Sequence, residues 1–266
     1  MMKIGFIGAG NMGSAIMKGI AGSDIASKAE LFAFDPFKEK LMSLADTGVK
    51  AMDSAADIAA MCKYVFLAIK PQQFEDALPC IKDAVTEDTV IVSIAAGITS
   101  EYIRSVTIQN AKVVLVMPNT PLLLGTGATA LSRNDSVNDE EFAVVKQIFD
   151  SCGISAVITP DKMKEIIAIN GSSPAFIYLF AKGFVDYAKS QDIDGDTALL
   201  LFAQTLIGSA KMLTDSGMNI DELIRMVSSP GGTTLAGLDA LYEGKLTDIV
   251  YDACDRCTKR AYELSK

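Results

Sequence analysis

Three glycines near the amino terminus have the spacing that binds the pyrophosphate of a dinucleotide cofactor. Gly8, Gly10 and Gly13 follow a short apolar run and precede a segment with apolar residues at helical spacing. In such a turn the first glycine permits a tight bend, the second lets backbone N–H groups approach the phosphates, and the third lets the helix pack closely. The helix N-terminus then presents free N–H groups and a positive dipole end to the anion.

A carboxylate follows where dinucleotide-binding units contact the adenosine ribose. Asp35 lies 22 residues after Gly13, at the end of a second apolar run, residues 31–34. Because strand, glycine turn, helix and acidic residue occur in the required order, we predict a nicotinamide dinucleotide site. The Asp35 carboxylate favours NAD and would repel the 2′-phosphate of NADP. Lys38 and Lys40 are close enough in sequence to offset that repulsion, and the alternative is that they lie on a solvated helix face. These residues therefore leave the cofactor preference open.

The composition excludes several classes of site and partner. The chain has 266 residues, a formal net charge of −9 and no histidine. Without histidine, Ser-His-Asp and Cys-His sites, His-bound metals and dehydrogenases with an imidazole acid/base are excluded.

An acidic chain without a Lys/Arg cluster argues against nucleic acid and anionic membranes as partners. No uninterrupted apolar run approaches the roughly 18 residues of a membrane span, and no signal peptide pattern precedes the first strand, so we expect a cytoplasmic protein.

The five cysteines predict no metal site. They are scattered, which favours reduced thiols packed as small hydrophobic residues. Cys254 and Cys257 have the spacing of a metal or redox pair, but a helical pattern surrounds them, and neither a second pair nor a histidine completes a tetrahedral site. The set is Cys62, Cys80, Cys152, Cys254 and Cys257.

Strand and helix patterns alternate up to about residue 160, and helical patterns alone follow. The unbroken apolar runs are typical of strands that are buried on both faces of a parallel sheet. Ligands bind at the carboxyl ends of such strands, where the chain carries Lys70, then the small residue Ala95, then Asn119 between two prolines. Lys70 is equally explained as a solvated residue beside a turn. We therefore predict an α/β dinucleotide-binding domain over residues 1–160 and an all-helical domain over residues 161–266.

Element boundaries follow from periodicity and from the positions of Gly and Pro. Strands are predicted at residues 31–35, 49–51, 64–69, 89–94, 112–117 and 154–158. Helices are predicted at residues 37–45, 72–81, 138–151, 161–169, 174–190, 196–216, 221–227, 235–242 and 247–265. The helical half is rich in Ala, Leu, Ile and Met, which indicates helices buried against a second copy of the chain and hence at least a homodimer.

A second constellation lies in the helical half, at residues 229–234. Two glycines and then two threonines at a helix start expose consecutive N–H groups and two hydroxyls, an arrangement that suits a carboxylate. The alternative is a helix N-terminus that is merely capped by threonine.

Six sequence blocks together resemble the pyrroline-5-carboxylate reductase family, in its order and from end to end. They are residues 6–12, 68–72, 93–98, 116–121, 204–213 and 229–234. The last block, Ser-Pro-Gly-Gly-Thr-Thr, is specific to this family among dinucleotide-binding proteins. The resemblance implies a Rossmann domain followed by an all-α dimerisation domain, with dimers that assemble further into decamers.

The resemblance also implies an activity, the NAD(P)H-dependent reduction of 1-pyrroline-5-carboxylate to L-proline, which is the last step of proline synthesis. NADPH is the expected cofactor, with NADH as the alternative. Substrate contacts fall on Ser229, Gly232, Thr233 and Thr234, with Thr234 near the ring nitrogen as the catalytic residue. Cofactor contacts fall on Gly8, Ala9, Gly10, Asn11, Met12, Ala68, Lys70, Pro71, Ala95 and Asn119, in addition to Asp35.

The chemistry of this reaction agrees with the residues available. A cyclic imine that is protonated on nitrogen needs only a hydride at carbon, so the protein must mainly orient the reactants and neutralise a carboxylate. Gly, Ser, Thr and Asn suffice for that, whereas a hydroxy-acid oxidation needs a base for the alcohol proton.

One block departs from the family pattern, and two alternatives stay open. Where the family usually shows Ser-Gly-Ser-Gly-Pro-Ala-Tyr, this chain has Asn170, Ser173 and Phe176 at the first, fourth and last positions, which we expect to change substrate affinity more than the reaction. A β-hydroxyacid dehydrogenase of the same build would place its catalytic lysine near Lys164, but the spacing to Asn170 does not fit. A non-catalytic paralogue would bind cofactor without turnover.

Overall fold

An eight-stranded sheet forms the centre of the amino-terminal part of the chain. Its strand order is β3-β2-β1-β4-β5-β6-β7-β8, and all neighbours run parallel except β6 and β7, which are antiparallel. The strands are β1 Met2–Ile7, β2 Ala29–Phe34, β3 Lys50–Ala51, β4 Tyr64–Leu67, β5 Val90–Ser93, β6 Lys112–Met117, β7 Gly127–Arg133 and β8 Gly153–Val157. Because β1, β4, β5 and β6 are adjacent and parallel, their carboxyl ends share one edge.

Helices cover both faces of this sheet, as the unbroken apolar strands require. One buried cluster packs α1 and α6 on the sheet around Phe6, Phe66 and Phe149. The other packs α3, α4 and α5 on the opposite face, with Phe74 fully buried. The helices are α1 Asn11–Ala21, α2 Lys38–Met42, α3 Ala55–Met61, α4 Phe74–Ile81, α5 Ser100–Val106 and α6 Asp139–Asp150.

The remaining five helices include the three longest and bury little within one chain. They are α7 Ser173–Ser190, α8 Gly195–Asp215, α9 Ile220–Met226, α10 Thr233–Glu243 and α11 Leu246–Glu263. Within α7, Leu179 is 71% exposed, and on α8 Leu200 is 71% exposed. An apolar surface of this kind on a folded chain marks an interaction site.

The computed structural model describes residues 1–265, which form two compact units. One unit contains residues 1–172 together with residues 256–265, and the other contains residues 173–255. The division predicted from the sequence is at residue 160, whereas the units divide at residue 173. The reason is that the segment after residue 160 packs on the sheet, where the buried Asn170 side chain donates hydrogen bonds to the carbonyls of Met117 and Ala128.

Several of the element predictions differ from the structure, and the helix predicted at residues 37–45 is shorter, Lys38–Met42. The helix predicted at residues 161–169 is absent there. In its place are a short 3-10 turn, Pro160–Lys162, and a π-helix, Ile167–Gly171. The sequence prediction also omits α3 and α5, two helices of seven residues each. Helix α5 buries only Ser100 and Ile103 and therefore carries little apolar periodicity.

Within residues 1–265, α8 is the one helix long and apolar enough to cross a membrane, judged by length and composition. Its sequence contains no long uninterrupted apolar run, because Thr, Gln, Gly and Ser lie between its apolar residues. A helix that packs against a second chain has the same composition.

Candidate functional site

The turn between β1 and α1 has the geometry predicted for the glycine motif. Gly8 adopts a φ of +103°, which strongly favours glycine. A Cβ there would lie 2.4 Å from the carbonyl oxygen of Ala68, so this position also needs close approach to the strand-end beside it. Gly13 lies in α1, and a Cβ on it would be 2.5 Å from the Gly8 carbonyl oxygen. The first and third glycines are therefore required by the protein itself.

Gly10 is different, because nothing within 4 Å would meet a Cβ built on it. Its backbone angles, φ −70° and ψ −175°, also suit any residue. Neither packing nor backbone strain explains this glycine, whereas a ligand that approaches the backbone does. The residues present therefore fit a dinucleotide pyrophosphate at this position.

The first turn of α1 offers hydrogen-bond donors beside Gly10. The first intrahelical bond runs from the Ser14 N–H to the Gly10 carbonyl, so the N–H groups of Asn11, Met12 and Gly13 precede it. Gly10 is the N-cap, and no side chain of residues 1–265 caps the helix. Free N–H groups at the positive end of a helix dipole form an anion site.

The Asp35 carboxylate is already bound within the chain. Asp35 is 5% exposed, and its oxygens accept hydrogen bonds from the N–H of Ala9 at 2.9 Å and of Phe37 at 2.9 Å. Lys40 Nζ lies 3.2 Å from both carboxylate oxygens. These four contacts use the acceptor sites of a carboxylate. Asp35 thus fixes the glycine turn, and the ribose contact predicted for it stays a prediction.

An ion pair with Asp35 shows which of the two nearby lysines, Lys38 or Lys40, offsets the charge of the Asp35 carboxylate. Lys40 makes this pair and also lies over the Phe37 ring, 4.6 Å from its centroid. Lys38 is exposed and makes neither the ion pair with Asp35 nor the ring contact with Phe37. Of the two lysines that the sequence offers, Lys40 therefore neutralises the Asp35 carboxylate. This ion pair reduces the repulsion between Asp35 and a 2′-phosphate.

A cavity of about 560 Å³ opens at the glycine turn. Its polar lining includes Asn11, Ser14, Lys18 and Lys40, and Gly10 faces it. This volume is in the range of small-molecule and cofactor sites. The cavity joins Ala9, Gly10 and Asn11 of the predicted cofactor residues, but Ala68, Lys70, Pro71, Ala95 and Asn119 do not line it.

Those other predicted cofactor residues lie along the carboxyl edge of the sheet. Ala68 follows β4 and contacts the glycine turn, Ala95 follows β5, and Asn119 follows β6. Ala95 borders a separate cavity of about 410 Å³ that also contains Met117, Lys164 and Tyr262. The strand order therefore arranges these positions in sequence along one edge, as predicted for parallel strands.

Lys70 and Pro71 form the turn that follows β4. Lys70 is exposed, and its N–H donates to Gln73 Oε1 at 3.0 Å. Pro71 begins the 3-10 helix Pro71–Gln73, a position that suits a residue without an N–H. The exposed Lys70 ammonium is compatible with both alternatives stated for it.

Asn119 is buried, with 8% of its surface exposed. Its Oδ1 accepts a hydrogen bond from the Ala128 N–H at 2.9 Å. The Asn119 side chain therefore links the segment after β6 to the antiparallel strand β7, and this hydrogen bond fixes the orientation of its amide.

In the second unit, the predicted substrate residues form the start of α10. The N-cap is Gly232, without a side-chain cap, and Thr233 and Thr234 are the first two helical residues, both exposed. The alternative of a threonine-capped helix is therefore not what the structure contains. Gly231 has a φ of +71°, and a Cβ on Gly232 would lie 2.6 Å from Ser229 Oγ. The positive φ favours glycine at position 231, and the missing side chain at Gly232 lets Ser229 lie close to the start of the helix.

Asn170 is the site residue that sequence reasoning did not assign. The departure from the family pattern singles it out, but a single chain gives no signal for its contacts. Its Nδ2 donates to the carbonyls of Met117 at 2.7 Å and Ala128 at 2.9 Å, beside Asn119. Ser173 begins α7, and Phe176 is half-buried on the same helix.

All five cysteines are free thiols, but only Cys62 and Cys152 are buried as the sequence predicts, whereas Cys80 is exposed. Burial raises the pKa of Cys62 to about 11, so its thiol stays protonated near neutral pH. Burial also raises the pKa of Cys152, whose sulfur lies against Gly19. Within residues 1–265 no group of three or more His, Cys, Asp or Glu side chains could hold a metal ion.

Comparison with family models gives two matches, one at each end of the chain, with residues 98–159 between them. Residues 160–264 match the family described as pyrroline-5-carboxylate reductase dimerisation. Residues 3–97 match the family described as NADP oxidoreductase, coenzyme F420-dependent.

Curated relatives are similar from end to end. The pyrroline-5-carboxylate reductase of Escherichia coli is 34% identical over 265 residues, which cover 99% of this chain and 98% of the relative. That of Methanosarcina acetivorans is 33% identical over 99% of this chain and 98% of its own length. That of Pisum sativum is 31% identical over 98% of this chain and 96% of its own length.

Solved structures agree with the sequence relatives. The pyrroline carboxylate reductase of Plasmodium falciparum with NADP bound has a TM-score of 0.90 at 30% identity, covering 100% of this chain and 98% of the other. The reductase of Streptococcus pyogenes has a TM-score of 0.89 at 32% identity, covering 98% of both chains.

Proposed function

The chain belongs to the pyrroline-5-carboxylate reductase family, and from this premise we propose that it reduces 1-pyrroline-5-carboxylate to L-proline with NADPH as the hydride donor. The observation that carries the proposal is the end-to-end similarity to reductases of that name. It includes both the glycine turn and the loop before α10. The protein is accordingly an oxidoreductase of proline biosynthesis.

The reaction needs little acid or base chemistry from the protein. With the ring nitrogen protonated, a hydride adds to the imine carbon, the C=N π pair moves to nitrogen, and the product is the secondary amine of proline. NADPH supplies that hydride when bound. The side chains must bind, orient and exclude water, which a chain without histidine can do.

On the cofactor side, we assign the pyrophosphate to Gly10, Asn11 and Met12, which offer an open backbone and free N–H groups. The Ala9 N–H donates its hydrogen bond to Asp35, so Ala9 lines the cofactor site without donating a hydrogen bond to the pyrophosphate. Neutralisation of Asp35 by Lys40 supports NADPH, and NADH stays the second candidate.

On the substrate side, we assign the carboxylate to the start of α10. The N–H groups of Thr233 and Thr234 and their two hydroxyls suit a carboxylate at a helix N-terminus. Gly232 is needed for the approach of Ser229, and Thr234 is assigned to the ring nitrogen by the family pattern alone.

The assembly is proposed to be a homodimer in the cytoplasm, formed through the helical unit. The match to a dimerisation domain and the exposed apolar helices both support a second copy as the partner. A decamer built from dimers is the further state that the family resemblance implies.

The experiment is to follow NADPH and NADH oxidation at the nicotinamide absorbance with 1-pyrroline-5-carboxylate, for the wild type and for Thr234→Ala. We expect turnover with proline as product, and a fall in kcat or a rise in substrate KM for Thr234→Ala at unchanged NADPH affinity. Cofactor binding without turnover in the wild type would support the non-catalytic paralogue. A Thr234→Ala enzyme with unchanged kcat/KM would remove the assignment of that residue.

A further inference from the structure

Asn170 is held in the only π-helix of residues 1–265 and is 9% exposed. The Ser172 N–H donates to the Ile167 carbonyl at 2.8 Å, which closes the wider turn. π-turns inside helical segments are frequent at functional sites. A Cβ on the neighbouring Gly171 would lie 3.2 Å from Met117 Sδ, so this turn packs directly against the end of β6.

Both hydrogens of the Asn170 amide are used at that strand end. Nδ2 donates to the Met117 carbonyl at 2.7 Å and to the Ala128 carbonyl at 2.9 Å. Because both neighbours are carbonyl oxygens, only the amide nitrogen can face them, which fixes the orientation of the side chain. Asn170 therefore bridges β6 and the beginning of β7.

Asn119 completes the same bridge from the other side. In the antiparallel pairing Met117 lies opposite Ala130, and the continued register would place Asn119 opposite Ala128. The backbone ladder stops before that pair, and the two side chains replace it: Asn119 Oδ1 accepts from the Ala128 N–H, and Asn170 donates to the Ala128 carbonyl. The position of Asn119 thus depends on Asn170 through one residue, Ala128.

The remaining atom of this amide argues against a purely structural role. Asn170 Oδ1 is buried and has no hydrogen-bond partner among residues 1–265. A buried acceptor without a partner works against folding stability. The Asn170 amide donates its two hydrogen bonds although its Oδ1 is left unpaired. Both bonds end at the carboxyl end of β6, where the predicted cofactor residue Asn119 lies.

We propose that Asn170 is a positioning residue for hydride transfer, which sets Asn119 and the end of β6 for the nicotinamide half of the cofactor. The proposal rests on the reductase function given above. It assigns to Asn170 a role in orientation and none in direct contact with the reacting atoms.

A matched control exists at the opposite end of the same two strands. Asn134 Nδ2 donates to the Ala111 carbonyl at 2.9 Å, and its Oδ1 accepts from the Val113 N–H at 3.1 Å. Asn134 therefore makes the same kind of bridge between β6 and β7, but at the amino end of β6, away from the cofactor edge. Asn134→Ala removes comparable hydrogen bonds without touching the proposed function of Asn170.

The experiment compares Asn170→Ala, Asn170→Ser and Asn134→Ala in the full chain. Three quantities are measured: the melting temperature, the Kd for NADPH from its fluorescence, and kcat with its primary isotope effect using 4-deuterated NADPH. Since the chain has no tryptophan, NADPH fluorescence is free of that background. Asn170→Ser keeps one donor and serves as the milder variant if Asn170→Ala fails to fold.

For Asn170→Ala we expect kcat to fall between about 10-fold and 100-fold with a larger isotope effect, because a misplaced nicotinamide slows the hydride step itself. The Kd for NADPH should change less than about threefold, since the pyrophosphate site is elsewhere. Asn170→Ser should lie between Asn170→Ala and the wild type. Asn134→Ala should lower the melting temperature while kcat and the isotope effect stay at wild-type values.

Two results would overturn the proposal: folded Asn170 variants with wild-type kcat and isotope effect, or an equal loss of kcat in Asn134→Ala. A wild-type chain that binds NADPH but does not turn over 1-pyrroline-5-carboxylate would instead contradict the reductase function, and the two failures are therefore distinct.

Discussion

At the residue scale, the glycine turn separates positions that the fold needs from a position that only a ligand needs. Gly8 and Gly13 approach neighbouring backbone too closely for a side chain, whereas Gly10 faces open space. The sequence spacing predicts all three roles, but only the structure shows which glycine could be replaced without loss of stability.

Gly10→Ala should therefore weaken NADPH binding, whereas Gly13→Ala should lower folding stability. Gly10→Ala should leave the free energy of unfolding within about 0.5 kcal/mol of the wild type. It should raise the Kd for NADPH at least about tenfold, because the new methyl group occupies the approach to the pyrophosphate. Gly13→Ala should lower the unfolding free energy by about 1–3 kcal/mol, since its Cβ would clash with the Gly8 carbonyl. Urea denaturation and NADPH titration measure the two quantities.

The glycine comparison has a clear contrary outcome. If Gly10→Ala bound NADPH as tightly as the wild type, the cofactor pyrophosphate would not lie over Gly10, and the cavity beside it would need another ligand.

The lysine that offsets Asp35 can be identified by cofactor preference. Lys40→Met should lower kcat/KM for NADPH relative to NADH by about tenfold, or ~1.4 kcal/mol, because the unpaired Asp35 carboxylate would repel the 2′-phosphate. Lys38→Met serves as the control and should leave the ratio near the wild-type value. Initial rates with both cofactors give the ratio. Equal shifts in both variants would assign the effect to general surface charge, and no shift in Lys40→Met would place the 2′-phosphate elsewhere.

Asp35 shows the limit of prediction from sequence at this scale. Its type and its distance from the glycines are those of a ribose ligand, yet its carboxylate binds the Ala9 and Phe37 N–H groups and Lys40. A carboxylate at a strand end can rotate toward the ligand or toward the turn. Spacing alone does not determine that rotation, because it depends on which N–H groups the folded turn leaves free.

At the scale of elements, Glu141 connects three parts of the amino-terminal unit. It forms a capping box with Asn138 at the start of α6, and its Oε1 lies 2.8 Å from Lys112 Nζ and 3.2 Å from Lys63 Nζ. Lys112 begins β6, and Lys63 directly precedes β4. The 3% exposed Glu141 therefore fixes α6 to the amino edge of the sheet, opposite the edge that carries the predicted cofactor residues.

Glu141 also predicts how stability depends on pH. Burial alone would raise the pKa of Glu141, but hydrogen bonds from Lys112 and Lys63 outweigh burial and hold this pKa below its usual value. A lowered pKa in the folded state adds stability that is present above the unfolded-state pKa of about 4.3 and is lost as pH falls through the folded pKa.

Glu141→Gln should therefore lower the free energy of unfolding by about 2–3 kcal/mol at pH 7. This is less than for a fully buried pair because Lys63 is half-exposed. The difference from the wild type should shrink as the pH falls below the unfolded-state pKa of about 4.3 and through the lowered folded-state pKa of Glu141. Denaturation at several pH values measures it, with the exposed neighbour Glu140→Gln as control. A difference that did not shrink with falling pH would contradict the ionic origin.

The elements differ in how well the sequence predicts them, and burial explains the difference. The apolar run of β6 predicts its bounds at residues 112–117, and α8, predicted at residues 196–216, lies at Gly195–Asp215. Helix α5 and the π-helix at Ile167–Gly171 are not predicted. The first buries few side chains, and the second owes its wider turn to tertiary hydrogen bonds of Asn170, which no local pattern encodes.

At the scale of the whole molecule, the helical unit lacks a core of its own. Within α8 none of the residues is buried, and in α7 only Pro174 and Ala188 are. Phe184 stacks on Phe202 and meets Phe180 edge-on, but all three rings stay partly exposed. Helices this apolar need a partner surface, and the match to a dimerisation domain points to a second copy.

A charge on this surface should therefore separate the copies. Leu200→Glu places a carboxylate at a position on α8 that is 71% exposed in one chain, and burial of an unpaired charge on association would be strongly unfavourable. We expect smaller particles in sedimentation and a lower melting temperature. Leu124→Glu, at an 84% exposed position before β7, is the control and should sediment like the wild type. Unchanged association of Leu200→Glu would place the interface on other helices.

The central claim is hydride transfer to the imine carbon of 1-pyrroline-5-carboxylate, and isotope transfer tests it most directly. The wild-type chain is incubated with the imine and NADPH deuterated at the transferred position of C4, and the proline formed is analysed by mass spectrometry and NMR. One deuterium per proline, bonded to the ring carbon next to nitrogen that does not carry the carboxylate, is the predicted result. NADPH oxidation without labelled proline, or no oxidation despite tight NADPH binding, would contradict the claim.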